Sequence, residues 1–185
     1  FAAAGLEPMS KHCSSRIAFS RRARRLLSSQ VSDSVPPMIT SRAIATVIGP
    51  NGTREVPVQD IATGPGKTSL EAGEFVVSFK FPKRPARSGD AYLRFTPRTE
   101  MDIAVVGCAV NLTLDDAGIC TDAIVSLGAV AARALIVEDA AKALIGTPVD
   151  EAAMDALAAA ASAAATPIDD KRGTVEFRTE VAGVL

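Results

Sequence analysis

One stretch of the chain decides its fold class: Ala91-Tyr92-Leu93-Arg94-Phe95-Thr96-Pro97-Arg98-Thr99-Glu100-Met101-Asp102-Ile103-Ala104. In an extended chain, residues two or four apart share a face. Arg94, Arg98 and Asp102 are therefore predicted to line the polar side of one strand, or of two strand pieces across a kink at the intervening proline. Leu93 and Phe95 would face the other way. By itself this pattern is typical of a solvated strand face with an ion pair, which contributes little to stability when exposed.

Composition narrows the class of protein. The 185 residues are enough for one domain, or for one domain and part of another, and the hydrophobic content of 48% is that of a globular chain. A net charge of −1 gives no general reason to expect nucleic acid as a partner. No apolar run reaches the length of about 18 residues that a membrane span needs, so we expect no membrane span. Three cysteines without close pairing fit a reducing cytoplasm better than a disulfide framework.

Strand patterns come first along the chain. Arg42–Ile48 and Thr53–Val58 flank Asn51-Gly52, a strong signal for a β-hairpin. This hairpin is predicted to close a small sheet of a preceding domain. Three or four further strands are predicted to form an antiparallel meander. Their segments are Glu74–Phe81, Ala91–Thr96, Asp102–Leu114 and Ile119–Leu127.

Helical patterns follow. Val137–Ile145 has apolar residues at helical spacing and ends at Gly146, and a second helix is predicted from a cap at Asp150 to about Ala165. A last short helix, from about Thr174 to Leu185, would put Val175, Val181 and Val184 on one side. Strands followed by helices predict an α+β fold, with a three- to four-stranded antiparallel sheet covered on one face by about three helices.

No motif in the chain supports a catalytic or metal site. Gly66-Lys67-Thr68 lacks the first glycine of a phosphate-binding loop, because position 61 is Ile61, and the strand pattern at Glu74 leaves no room for the required helix. His12 is the only histidine, which makes a nucleophile–base pair or a zinc site improbable. Two pairs of carboxylates, Asp115-Asp116 and Asp169-Asp170, lie beside glycine or proline and are interpreted as solvated turn residues.

Residues 1–28 differ from the rest of the chain. They hold six basic residues and one acid, Glu7, if His12 is left aside. Such a segment can imitate an organelle transit peptide, or form a patch for RNA or an anionic lipid. We favour a third interpretation, an atypical or truncated N-terminus that does not belong to the fold. A nucleic-acid binder ranks last, because aromatic residues for base stacking are not interleaved with the arginines.

Six segments, taken in order, resemble a family signature. The segment 91–104 looks like aY-x-K/R-F-x-x-R-x-x-x-D-I-A. The others are Ser32–Pro36 (S-D-x-x-P), Gly52–Pro57 (G-x-R-E-V-P), Gly64–Val76 (G-x-x-K-T-x-L-x-x-x-E-x-L/V), Gly128–Ala131 (lG-g-v-a) and Asp170–Arg178 (D-x-R-g-s-a-e-Y-R). The set resembles the flavin-binding (medium) subunits of molybdenum hydroxylases, which include carbon monoxide dehydrogenases, xanthine dehydrogenases and aldehyde oxidases.

The resemblance implies a division of the chain and a set of site residues. Residues 29–70 would be a remnant of the FAD-binding domain, and 71–185 would resemble the C-terminal domain of the carbon monoxide dehydrogenase flavoprotein. FAD is the implied cofactor. By resemblance, Asp33 and Ser29 contact the flavin's hydroxyls, Val76 lies beside its ring, and Arg94 occupies the position of a lysine near its polar end. A cation there can stabilise negative charge on the reduced flavin, or bind a pyrophosphate.

The implied function is electron transfer within a complex. In the family, electrons pass from a molybdenum-cofactor large subunit through an iron–sulfur small subunit to the flavin, and then to an acceptor. One departure bears on this: where the family has T-I-G-G-N, this chain reads Ser20-Arg21-Arg22-Ala23-Arg24. Arginine side chains cannot reproduce the close backbone approach that glycines give a pyrophosphate. The alternative is therefore a structural or interaction module that has lost FAD.

Overall fold

The computed structural model describes residues 35–98 and 103–185. The strands are β1 (Ile44–Gly49), β2 (Gly52–Pro57), β3 (Ala62–Gly64), β4 (Lys67–Thr68), β5 (Phe75–Lys80), β6 (Ser88–Phe95), β7 (Val106–Leu114), β8 (Cys120–Gly128) and β9 (Leu135–Ile136). The helices are α1, described over residues 35–40, α2 (Glu138–Leu144), α3 (Glu151–Ala164) and α4 (Val175–Val184), with a 3₁₀ turn at Val58–Asp60. All pairing is antiparallel, in sheets of order β2-β1-β5, β3-β4 and β6-β7-β8-β9.

The hairpin predicted from Asn51-Gly52 is confirmed. β1 and β2 pair along their whole length and close with Gly49 opposite Gly52. Gly52 has a φ of +109°, a conformation that a residue with a side chain adopts only under strain. Ala45 of β1 is fully buried in a small hydrophobic cluster with residues of α1 and the 3₁₀ turn, which we call the first core. The first core consists of Val35, Ile39, Ala43, Ala45 and Val58.

The strand predicted over Glu74–Phe81 exists, but its place in the meander was wrong. It forms β5 of the first sheet, where Val76 lies opposite Val47 of β1, next to a β-bulge. The alternating Phe75 and Phe79 are 56% and 40% exposed, and alternation carries no information about which strand lies alongside.

The other strands of the meander are confirmed. β6, β7 and β8 follow one another with two-residue periodicity, and Leu93, Cys108 and Leu127 lie side by side across them. The turn between β7 and β8 is fixed by Asp115, whose carboxylate accepts hydrogen bonds from the backbone N–H groups of Ala117 and Ile119, both at 2.9 Å. Asp115 is therefore a turn-forming residue, as the sequence indicated.

The α+β prediction is confirmed, because α2, α3 and α4 cover one face of the second sheet. Helix α3 begins at Asp150, whose side chain accepts from the N–H of Ala153 at 3.0 Å, and α2 ends before Gly146, which has a φ of +85°. The larger core lies between these helices and the sheet. Its fully buried members include Val105, Val106, Val125, Leu127, Val130, Ala140 and Leu144.

The three valines of α4 do not mark its buried side. Val175 and Val184 are 39% and 78% exposed, while Arg178 and Ala182, four residues apart, are buried. Of the three predicted valines only Val181 packs against the core, and it is partly buried. Apolar periodicity missed this face because an arginine occupies its central position.

Two further predictions can be compared with the fold. Lys67 and Thr68 form the short strand β4, and no helix follows them before β5, which agrees with the rejection of a phosphate-binding loop. Among the residues that the structure describes, no helix combines the length and the apolar character needed to cross a membrane.

Candidate functional site

Two of the four predicted site residues lie in the described part of the chain. Val76 is half-buried on β5 and packs against the first core, and Arg94 is exposed on β6, opposite Gly107 of β7. They therefore belong to different sheets. Ser29 and Asp33 lie outside the described residues, so their predicted roles stay predictions.

Arg94 lies on the face of the second sheet that the helices leave uncovered. Cys108 and Leu127 point to the helices, so their neighbours along the strands point the other way. Arg94 shares this second face with Tyr92, two residues earlier on β6. The residues opposite on β7 and β8 are small: Gly107, Ala109, Ser126 and Gly128. These four small residues are all buried, so the part of the second face that reaches solvent is its β6 edge, where Arg94 is exposed.

The second face has two features that bear on cofactor binding. The ring of Tyr92 lies so close to Gly107 that a β-carbon there would be 2.9 Å from the tyrosine Oη. Ser126, fully buried, has a hydroxyl with no hydrogen-bond partner among the described residues. An orphaned buried hydroxyl is uncommon in folded proteins. Because the Tyr92 ring occupies the space beside Gly107 and Ser126 is shielded from solvent, Arg94 is the group of this face whose exposed position fits a cation for FAD.

The second face meets the first sheet at one end. Arg42 follows α1, and its Nη2 donates to both carboxylate oxygens of Asp122 on β8, at 2.9 and 2.7 Å. Ala134, from the loop before β9, packs against the first core. Beside the ion pair lies a pocket of about 340 Å³ that is lined mainly by apolar groups and includes Ile124 of β8.

A buried arginine at the opposite side of the second sheet was missed by sequence reasoning. Arg178 donates to the carbonyls of Val105 at 2.9 Å and Ala129 at 3.1 Å, and to the Oδ1 of Asp170 at 2.6 Å. Its side chain is 5% exposed. It therefore ties α4 to the start of β7, the end of β8 and the turn at Asp170–Gly173.

Asp170 is an exposed turn residue, as the sequence indicated, and it also binds the buried Arg178. Its carboxylate accepts from the backbone N–H of Arg172 and from Arg178, and these bonds lower the pKa of the Asp170 carboxyl. The signal that could have revealed the pair was present in the sequence, because Asp170 and Arg178 are the two ends of one motif of the family resemblance.

A second ion pair between residues of the family motifs, Arg54 and Glu74, lies at the first sheet. Nε and Nη2 of Arg54 each donate to one oxygen of Glu74 at 2.7 Å, and Nη2 also donates to the carbonyl of Ser69 at 3.1 Å. The backbone N–H of Glu71 donates to Glu74 as well. The hydrogen bonds from Arg54, and then that from Glu71, lower the pKa of Glu74 to about 2. The pair holds the hairpin strand β2 to the loop before β5.

A larger pocket lies away from the predicted residues. It has a volume of about 560 Å³ and is lined by Pro97, Arg98, Asp170, Lys171 and Arg172. Because Arg178 already binds Asp170, this carboxylate belongs to the structural network. The pocket contains none of the four predicted site residues, and no catalytic group is assigned to it.

Two domain families match this chain in succession. Residues 26–84 match the family described as FAD binding domain in molybdopterin dehydrogenase, and residues 91–185 match the CO dehydrogenase flavoprotein C-terminal domain. The chain therefore belongs to the family of FAD-binding, or medium, subunits of molybdenum hydroxylases. The two matches meet between β5 and β6, where the first sheet gives way to the second.

Relatives and solved structures agree with this assignment. The chain is 38% identical over 137 residues to the carbon monoxide dehydrogenase medium chain of Afipia carboxidovorans, covering 74% of this chain and 47% of the relative. It is 31% identical over 147 residues to the putative xanthine dehydrogenase FAD-binding subunit XdhB of Escherichia coli, covering 79% and 50%. Reconstituted CO dehydrogenase from Oligotropha carboxidovorans has a chain that superimposes with a TM-score of 0.77 at 36% identity, covering 82% of this chain and 52% of that one. The chain thus spans about half the length of the relatives it matches.

Proposed function

We propose that this chain is the C-terminal part of the FAD-binding subunit of a molybdenum-containing hydroxylase or dehydrogenase. It would receive electrons from an iron–sulfur subunit and pass them through FAD to an acceptor, beside a molybdenum-cofactor large subunit. The observation that carries the proposal is the ordered match of residues 26–84 and 91–185 to the two domains of such subunits. A cytoplasmic location and the division into 1–28, 29–70 and 71–185 remain predictions.

In this proposal the chain's own residues bind and orient the cofactor. FAD, when bound, supplies a centre that accepts and releases electrons. Arg94 would place a permanent positive charge at the flavin's polar end, because a guanidinium stays protonated at every physiological pH. Val76 would exclude water from the ring, and Asp33 and Ser29 would exchange hydrogen bonds with its hydroxyls.

Tyr92 offers a direct test of cofactor binding. It is the chain's only tyrosine, and there is no tryptophan, so intrinsic emission reports on the face that carries Arg94. We expect FAD, titrated into the purified chain, to quench this emission in a saturable way after correction for absorption by free FAD. A flavin absorbance band should elute with the protein.

Substitutions at Arg94 make the test specific. Arg94→Met should weaken FAD binding about tenfold, since a hydrogen bond to a charged group is worth about 1.5–3 kcal/mol. Arg94→Lys, which restores the residue type of the family, should stay close to the parent chain. Arg133→Met, the same change at an exposed arginine, is the control.

The alternative is an interaction module that has lost FAD. It is favoured by the sequence Ser20-Arg21-Arg22-Ala23-Arg24 at the position of a glycine-rich loop. If no flavin elutes with the chain, alone or coexpressed with large and small subunits of a related complex, the electron-transfer proposal is wrong. Copurification with those subunits in the absence of flavin would then support the alternative.

A further inference from the structure

Arg42 occupies a backbone position that normally favours glycine. It follows α1 with a φ of +53°. Its N–H donates to the carbonyl of Ile39 at 2.8 Å, and the N–H of Ala43 donates to that of Met38 at 3.0 Å. This pair of bonds is the Schellman pattern that ends many helices, in which glycine usually takes the left-handed residue. A residue with a β-carbon is strained there, so something other than helix termination accounts for an arginine.

The side chain of Arg42 supplies that reason. Its guanidinium reaches 80 residues along the chain to Asp122, where one nitrogen contacts both carboxylate oxygens. The two side chains are 51% and 44% exposed, so the pair is expected to act through its geometry and to add little to overall stability. Asp122 is on β8 and points to the second face, the face that carries Arg94. Arg42 immediately precedes the strand that pairs with β5, on which Val76 lies. The ion pair therefore connects the sheet of one predicted flavin contact to the sheet of the other.

Strand pairing does not connect the two sheets in the described part of the chain. No strand of the first sheet pairs with a strand of the second, and their hydrophobic cores are separate clusters. Ala134 packs across the junction, but the pocket beside Arg42 and Ile124 leaves about 340 Å³ there unfilled by side chains. A junction that no strand pairing spans depends on side-chain contacts to hold its angle.

We propose that Arg42 and Asp122 are positioning residues that fix the angle between the two sheets, so that Val76 and Arg94 can contact one flavin. The consequence for flavin binding rests on the function proposed above, whereas the consequence for sheet geometry does not. Neither residue need touch the cofactor. Arg42 breaks a local rule, because a residue with a side chain stands where glycine is favoured. Such exceptions are expected mainly where function requires the side chain.

A ligand-free measurement tests the geometry. Spin labels at Thr53→Cys on β2 and Ala117→Cys in the β7–β8 turn report the distance between the sheets by pulsed electron paramagnetic resonance. Both positions are exposed. All labelled variants carry Cys13→Ser, so that the spin label does not react there. Cys108 and Cys120 are left unchanged because they are buried. We expect one narrow distance distribution in the parent and a broad one in Asp122→Asn.

Charge reversal and a glycine variant separate positioning from ordinary stability. Arg42→Asp and Asp122→Arg should each broaden the distribution, and the double reversal should narrow it again. Arg42→Gly relieves the backbone strain and should still broaden it. Asp139→Asn, which breaks the exposed Asp139–Lys142 pair within α2, is the control and should change nothing. Equal distance distributions in all variants would overturn the proposal. An Arg42→Gly chain that gains heat stability and keeps the narrow distribution of the parent would overturn it as well.

FAD titration completes the test. Asp122→Asn and Arg42→Gly should weaken FAD binding by about tenfold, and the double reversal should recover most of the loss. If the parent itself binds no FAD, the proposed function fails, and the positioning role is still decided by the distances. If the distances respond and FAD affinity is the same in every variant, the link between sheet geometry and the cofactor is refuted.

Discussion

Replacing Arg178 should destabilise the chain more than replacing any exposed arginine. The perturbation is Arg178→Met, which keeps much of the side-chain length and removes every donor. In the native structure this guanidinium satisfies the carbonyls of Val105 and Ala129, which lie at the same end of the neighbouring strands β7 and β8, and the carboxylate of Asp170. Because the arginine side chain is 5% exposed, water cannot replace it at the inner carbonyls without opening the α4 packing.

The size of the effect follows from the groups left behind. A buried acceptor that loses its partner costs about 1–3 kcal/mol, and two carbonyls are affected. Asp170 can turn toward solvent, so it adds less. The expected loss is about 3–5 kcal/mol, the range typical when one member of a buried ion pair is removed. That is a large part of the free energy of unfolding of a small domain, which is about 5–15 kcal/mol.

Urea unfolding followed by far-ultraviolet circular dichroism measures this loss. Arg178→Lys keeps the charge and lacks the planar guanidinium, so its free energy of unfolding should lie between those of Arg178→Met and the parent chain. Asp170→Asn keeps the turn acceptor for the N–H of Arg172 and should cost less than Arg178→Met. Arg133→Met is the matched control at an exposed site. A free energy of unfolding for Arg178→Met that equals the control would refute the argument that the buried guanidinium supports the sheet.

The remaining predictions concern the first sheet and the α3–α4 contact. The pKa of Glu74 falls from 4.5 to about 2 on pairing with Arg54, so the pair's stabilisation is complete above the unfolded pKa and is lost as pH drops toward 2. The stability difference between the parent and Arg54→Gln should therefore be constant above about pH 6 and shrink steadily in acid, and a pH-independent difference would contradict the assignment. Gly183→Ala should cost about 1–3 kcal/mol in urea unfolding, because its β-carbon would lie 3.0 Å from the carbonyl oxygen of Ala158 and closer still to a serine hydroxyl. Gly89→Ala, where a β-carbon meets open space, is the control, and equal losses at the two glycines would contradict the close approach of α3 and α4.

Local signals in the sequence were sufficient for most of the secondary structure. The cap at Asp150, the stop at Gly146 and the Asn51-Gly52 hairpin each act within a few residues, so their physics is complete in a short segment. The six motifs were sufficient to identify the family, because they occur in the family's order and with its spacing between Ser32 and Arg178.

Only the tertiary structure decided which distant segments meet. β5 pairs with β1 of the first sheet, whereas alternation alone would equally have allowed a place in the following meander, because edge-to-edge pairing depends on backbone groups and not on the side-chain pattern. Arg178 can be buried because four acceptors from separate parts of the chain compensate its donors, the carbonyls of Val105, Ala129 and Gly173 and the carboxylate of Asp170, and this compensation cannot be read from the arginine alone. Arg42 and Asp122 form a contact across 80 residues, and long-range contacts of this kind arise from packing, which no local pattern encodes.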